Sequence, residues 1–350
     1  MSINPVEIPT GAVRYNTDSN KMEVYIGSTW MEVAVSSPNL DGGARGIFTG
    51  GATPSAVNTI DFVTISTAGD ATDFGDLSTV LRAHASFADR TRGLNAAGGN
   101  PSVTNTIEFI TISSTGNSQN FGDLTVARDY LAGINNATRG VAGGAWGPSR
   151  SDVIDFVTMQ STGNAVDFGN LLTAKQTDGS FSSPTRGFWV GGASGSSPDY
   201  DASTSGTVIN FITTSSTGNA QDFGDLINGT YAKVGASNSI RGLAAGGYGS
   251  PANIVAIELI IMATLGNSID FGDMSNAHYY GAGTSDKTRA IFGGGSPATN
   301  VIEYVNIATD GDSVDFGDLT QARQTPAGLS NANGGSVSYT HLTLPTNREV

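Results

Sequence analysis

The residues of this sequence best suited to chemistry are aromatics set among glycine, serine and carboxylate. They are Trp146 in AWGPS, Tyr248 in YGSP, and the triplet Asp199-Tyr200-Asp201 inside the segment ASGSSPDYDASTSGT. An aromatic ring offers a large contact face at low entropy cost, and a carboxylate accepts hydrogen bonds from sugar hydroxyls. Trp146, Asp199, Tyr200, Asp201 and Tyr248 are therefore the expected ligand-binding residues, suited to stacking on a sugar. The competing reading folds Trp146 and Tyr248 back as cover over glycine-rich backbone.

Other chemistry finds little footing. The sequence has no cysteine, which removes thiolate nucleophiles, thiolate metal sites and disulfides. Of its three histidines, His84 and His278 open different predicted strands and His341 lies in an atypical tail. The string GASGS at 192–196 reads as a loop, not as a nucleophile elbow between strand and helix. GDATD at 69–73 and DGDSVD at 310–315 lack the spaced oxygen ligands and closing glutamate of a calcium loop. No catalytic residue, metal site or cofactor is expected, and the chain reads as a non-enzyme.

The elements that must position the aromatics are repeats. DFGDL or a close variant occurs six times, with its phenylalanine at Phe74, Phe121, Phe168, Phe223, Phe271 and Phe316. Arg-Gly running into a Gly-Gly pair begins at Arg45, Arg92, Arg139, Arg186 and Arg241, and at Arg289 with Ala290 in place of glycine. A Gly-Asn or Gly-Asp pair recurs at Gly69, Gly116, Gly163, Gly218, Gly266 and Gly311. A period of this length is the signature of a repeat architecture. The second repeat reads as four strands: Gly93–Ala97, Thr106–Ser113, Ser118–Leu124 and Ala127–Asn135, with Gly116-Asn117 as a two-residue hairpin turn. The acid of DFGDL (Asp76, Asp123, Asn170, Asp225, Asp273, Asp318) and a following base (Arg82, Arg128, Lys175, Lys233, His278, Arg323) are expected to cap turns and pair between consecutive strands.

From Arg45 to Asn331 the pattern resembles the kelch repeat. The matching elements are Ile47–Gly51, the apolar strand Ile60–Ile65, the aromatic Phe74 and the basic residue Arg82, with phenylalanine where kelch usually has tryptophan. The resemblance implies an all-β, six-bladed kelch-like β-propeller. By kelch phase, the last strand, Gln321–Asn331, completes the first blade and removes its free edge. Small pairs such as Ala132-Gly133 and Gly235-Ala236 suit innermost strands crowding one axis. A kelch-fold copper oxidase needs a cysteine-linked tyrosine, which this sequence cannot form.

Composition bounds the partners. Net charge is −14 and only 14% of residues are charged, while glycine numbers 47. An acidic surface disfavours nucleic acid and anionic membranes. No stretch is long and apolar enough to insert in a membrane, and no signal peptide is visible at the N-terminus.

The ends differ from the repeats. Residues 1–38 hold a predicted three-stranded β-meander at 9–34, with turns at Thr17–Asn20 and Gly27–Thr29. It is too small for its own core and must pack on a partner. Its Gly-Ser-Thr-Trp turn at 27–30 resembles a meander of tailed-bacteriophage fibre and virion proteins. Residues 39–335 form the predicted propeller, and 336–350 (SVSYTHLTLPTNREV) resemble a translated sequencing-adaptor tail of metagenomic reading frames. The expectation is a phage virion structural protein, made in the host cytoplasm, in a tail, fibre or capsid surface. It would contact other virion proteins through the meander and a host-surface glycan through the loops. The alternative is an environmental bacterial carbohydrate-binding propeller without a virion role.

Overall fold

The structure, a computed structural model, describes residues 9–16, 21–26, 28–32, 45–99, 101–177, 179–194, 206–249 and 253–330. Asp199, Tyr200, Asp201 and the tail at 336–350 lie outside the described residues. The chain divides into two compact units. The first is an antiparallel sheet of Val13–Asn16, Lys21–Ile26 and Thr29–Glu32. Among its described apolar residues Val24 is buried, whereas Val13, Tyr15 and Met31 stand exposed. Arg14 pairs with Glu23 at 2.7 Å and stacks 4.2 Å from the Trp30 ring centroid.

The described residues of the second unit are all β, in six four-stranded antiparallel sheets. The first sheet takes its first strand from the far end of the chain: Ala327–Ser330, then Arg45–Thr49, Val57–Thr64 and Thr72–Leu81. The pairing Ala327↔Thr49 and Leu329↔Ile47 fixes the register. The second sheet runs Ala85–Ala88, Arg92–Ala96, Thr106–Thr111 and Gln119–Asp123. The third to sixth repeat that order, with first strands Ala132–Asn135, Gly179–Ser182, Val234–Ser237 and Ala282–Ser285. First strands of successive sheets are neighbours, and Ala327–Ser330 lies beside both Ala282–Ser285 and Ala85–Ala88. Such sheets fit a β-propeller.

The three sequence markers all work at the seams between sheets. The DFGDL phenylalanines are buried. Phe121 packs in one cluster with Ala142, Val157 and Met159 of the next sheet, and Phe316 with Phe48, Val63 and Ile65 of the first. The Gly-Asn pair is not the two-residue hairpin expected from sequence, since the connection it belongs to spans the residues between Thr111 and Gln119. It is instead a clip onto the preceding sheet. Gly116 N–H donates to Phe74 O (2.8 Å), Ser118 N–H to Asp76 O (2.9 Å), and Asn117 Oδ1 accepts from Asp76 N–H (3.1 Å). A Cβ on Gly75 would sit 2.5 Å from Gly116 O, so glycine alone permits this approach. The same clip joins the sixth sheet to the first through Gly69 N–H to Phe316 O (2.7 Å) and Asp318 N–H to Asp70 Oδ1 (3.1 Å). The Asp-rich spots are therefore part of the seam, with Asp70 and Asp312 in the seat of Asn117.

The arginine marker is a second clip. Arg45 donates to Ile112 O (2.8 Å) of the next sheet while lying 4.7 Å from the Phe62 ring centroid, and Arg289 reaches Ile65 O (3.1 Å) of the first sheet. The glycine after each arginine makes room for a first-strand side chain of the preceding sheet: a Cβ on Gly140 would lie 2.0 Å from Phe87 Cδ2. Ala290 is tolerated because the equivalent first-strand residue is Ala236, in the same buried cluster.

The expected pairing of the DFGDL acids with the following bases is not what forms. The bases reach acids on the third strand: Arg128–Asp155 (3.0 Å), Lys233–Glu258 (3.1 Å) and Arg323–Asp61 (2.9 Å), every member buried. Arg82 is exposed, and the buried base of its repeat is His84. Each third-strand acid also gathers the connection leading into its sheet: Thr320 Oγ1 donates to Asp61 (2.7 Å) and Thr125 Oγ1 to Asp155 (2.6 Å). These ion pairs thus lock the chain as it passes from one sheet to the next. The opposite charge offsets part of the cost of burying each of these groups.

Candidate functional site

The connections into the first strands build one face around the axis. Two residues before a first strand the backbone turns left-handed, at Ala83, Tyr130, Ala232, Tyr280 and Thr325, with φ between 51° and 59°. Such values are rare outside glycine. They are held by bonds that step around the axis: Tyr130 N–H to Ala83 O (2.8 Å), Thr177 N–H to Tyr130 O (3.2 Å), Tyr280 N–H to Ala232 O (3.0 Å), Thr325 N–H to Tyr280 O (2.8 Å) and Ala83 N–H to Thr325 O (3.2 Å). The loops after the Gly-Gly pairs join the same face by bridging the connections, as at Tyr231↔Tyr248 and Gln176↔Ala193.

This geometry gathers six aromatic rings. Trp146 lies 5.9 Å from Tyr130, and Tyr130 lies 5.4 Å from Tyr280, between ring centroids. That second step crosses the axis, from the third sheet to the sixth. Tyr280 contacts Tyr231 at 6.2 Å, Tyr231 contacts Tyr248 at 5.2 Å, and Tyr248 contacts Tyr279 at 5.4 Å. All six are half-buried. Gln176 Nε2 donates to the Tyr280 hydroxyl (3.0 Å), and the Arg150 guanidinium lies 3.7 Å from the Trp146 ring centroid. Asp129 Oδ1 accepts from Gly147 N–H (2.8 Å). Burial raises the Asp129 carboxyl above its ordinary value, opposed by that bond and by Arg82.

Beneath the rings are two small spaces. One of about 40 Å³ is bounded by Tyr130, Tyr280, His84 and Pro326, and an axial one of about 80 Å³ is lined by first-strand residues such as Ser86, Gly133, Gly235 and Gly328. At the other ends of these strands hydroxyls step around the axis from one first strand to its neighbour, with Ser237 Oγ donating to Ser182 O (2.9 Å), Ser285 Oγ to Ser237 O (2.7 Å) and Ser330 Oγ to Ser285 O (2.6 Å). His84 is buried against Thr49 Oγ1 (2.9 Å), and burial pushes its imidazole down to about 4. It is a neutral framework residue. Among the described residues no cluster of three or more metal-ligating side chains occurs.

Of the residues picked from sequence, Trp146 and Tyr248 fall in this one track, neither fully exposed nor sealed under a neighbouring sheet. The insert carrying Asp199, Tyr200 and Asp201 leaves from Ala193 on the same face, and those three lie outside the described residues. Sequence reasoning missed Tyr130, Tyr231, Tyr279 and Tyr280. A signal existed: DYLAG, TYAKVGA and HYYGAG place tyrosine just before the small residues of a first strand.

The chain matches no protein family and no curated protein. Among solved structures it is similar to that of YjhT, with a TM-score of 0.60 and 10% sequence identity, covering 72% of this chain and 88% of that one. At that identity the similarity bears on the fold alone, and together with the repeated four-stranded sheets it fits a β-propeller.

Proposed function

We propose that this chain is a non-enzymatic, six-bladed kelch-like β-propeller, with the six sheets as blades, acting as a virion structural protein of a tailed phage and touching a host-surface glycan through its aromatic face. The observation that carries the binding reading is the continuous track of half-buried rings across the axis, flanked by Asp129, Arg82 and Gln176. Rigid scaffolds commonly bear function on such loop-built faces. Support for attachment to other virion proteins comes from the N-terminal meander (1–38), whose sheet leaves Val13, Tyr15 and Met31 exposed. Residues 39–335 are the propeller and 336–350 a non-native tail in this reading. The alternative of an environmental bacterial carbohydrate-binding propeller uses the same face and differs in the absence of a virion.

A glycan array probed with the native chain and with a folded Trp146→Ala/Tyr248→Ala variant tests the binding reading. Array signals lost in the variant support it, and unchanged signals, or none with either protein, overturn it. Recovery of the chain from purified virions by mass spectrometry tests the virion role, and its recovery only from bacterial fractions favours the alternative.

A further inference from the structure

We infer that the ligand of this face is a linear oligosaccharide several units long, laid across the axis, and not a single sugar seated end-on in the central opening. The inference rests on the glycan-binding reading above and goes on to the size and direction of the ligand. Three observations carry it. Ring contacts run from Trp146 through Tyr130 to Tyr280, where Tyr280, Tyr231, Tyr248 and Tyr279 close into a four-ring cluster, each step between 5.2 and 6.2 Å. A lone sugar ring covers only one or two such rings, so a compact ligand leaves most of the track unused. The spaces on the axis, about 40 and 80 Å³, are far below the roughly 300 Å³ at which small-molecule pockets begin, so the sugar lies over the opening.

The third observation is where the track crosses the axis. Tyr130 and Tyr280 meet there from the third and sixth sheets, and the Tyr280 hydroxyl is fixed by Gln176 of the fourth. Asp129 sits beside Trp146 at one end through its bond to Gly147. Rings brought from the connections into the third, fifth and sixth sheets thus form one platform that extends to both sides of this meeting point.

The test is calorimetric titration of the full chain with linear oligomers of one to six units in N-acetylglucosamine, glucose and mannose series. The expected result is at least one series whose affinity rises about tenfold or more from monosaccharide to tetrasaccharide and then levels off. A binding series whose monosaccharide matches its tetrasaccharide overturns the extended ligand while leaving the glycan reading in place. No binding by any series and no array signal overturns both. The second arm is the Tyr130→Ala/Tyr280→Ala variant. Alanine already occupies this left-handed turn position at Ala83 and Ala232, with φ of 53° and 59°, so the turn accepts the change. The variant should bind the tetrasaccharide about tenfold more weakly and lose the length dependence. Unchanged tetrasaccharide affinity in the folded variant overturns the inference.

Discussion

Asn210→Asp should stabilise this protein at neutral pH. Asn210 takes the third-strand seat that is Asp61, Glu108, Asp155, Glu258 or Glu303 in the other repeats: its Oδ1 accepts from Leu172 N–H (3.0 Å), as Glu258 accepts from Ile227 N–H (2.8 Å). Its Nδ2 is a buried donor with no partner. Lys175, four residues before its first strand like Arg128 and Arg323, donates to Gly191 O (2.8 Å), the carbonyl that matches the one Lys233 reaches at Gly246 O (3.2 Å). Burial pushes the Lys175 amine from 10.5 down to about 7, which corresponds to roughly 5 kcal/mol against its charged form. An aspartate in this seat replaces the orphan donor with an acceptor and recovers part of that cost. Its own desolvation takes back several kcal/mol, leaving an expected gain of about 1–2 kcal/mol. In the native chain the unfolded state holds a proton on Lys175 between about 7 and 10.5 that the folded state lacks, so this group makes stability rise with pH across that window. In the variant Lys175 stays charged when folded. The rise flattens, and the variant's advantage is largest near pH 7 and shrinks as pH climbs. Thermal unfolding from roughly pH 6.5 to 9.5 reads both effects. A variant less stable than the parent at pH 7, or one with an undiminished pH slope, would refute the reasoning.

Two further perturbations address the seams. Arg323→Met strands the buried Asp61 carboxylate and should cost about 3–5 kcal/mol in chemical unfolding, and a loss below 1 kcal/mol would show that the connection from the sixth sheet to the first does not depend on this pair. Gly140→Ala should cost about 1–3 kcal/mol by overpacking against Phe87, yet be nearly neutral when added to Phe87→Ala, reproducing the natural Ala236 and Ala290 pairing. Additive costs in that double-mutant cycle would argue against the contact.

The repeat framework was legible because each marker is held to one residue type by the same seam contact. Gly75 faces a backbone oxygen, Arg45 needs a long donor to reach Ile112 O, and Phe74 is buried. Ala290 looked like an exception and is explained by a small neighbour. The bases were harder. Spacing alone selected Arg82, whereas burial selects His84, placed one residue before its first strand as Lys233 is. The site was legible only in its variable loops. Trp146 and Tyr248 stood out there, but Ala127–Asn135 read as one strand, and only Ala132–Asn135 is strand. The preceding turn, with Tyr130 at φ 51°, was hidden within it. The meeting of Tyr130 with Tyr280 joins residues far apart in sequence, and no local pattern signals a contact made across an axis.

The most direct test of the aromatic face is Trp146 emission during titration with the tightest-binding oligosaccharide. Of the three tryptophans, Trp189 is buried and bonded to Ala132 O (3.0 Å), so it gives a constant background, and Trp30→Phe removes the signal of the meander. The expected result is a saturable change in emission whose midpoint equals the calorimetric Kd and which disappears in Trp146→Phe. Calorimetric saturation with unchanged Trp146 emission would contradict it.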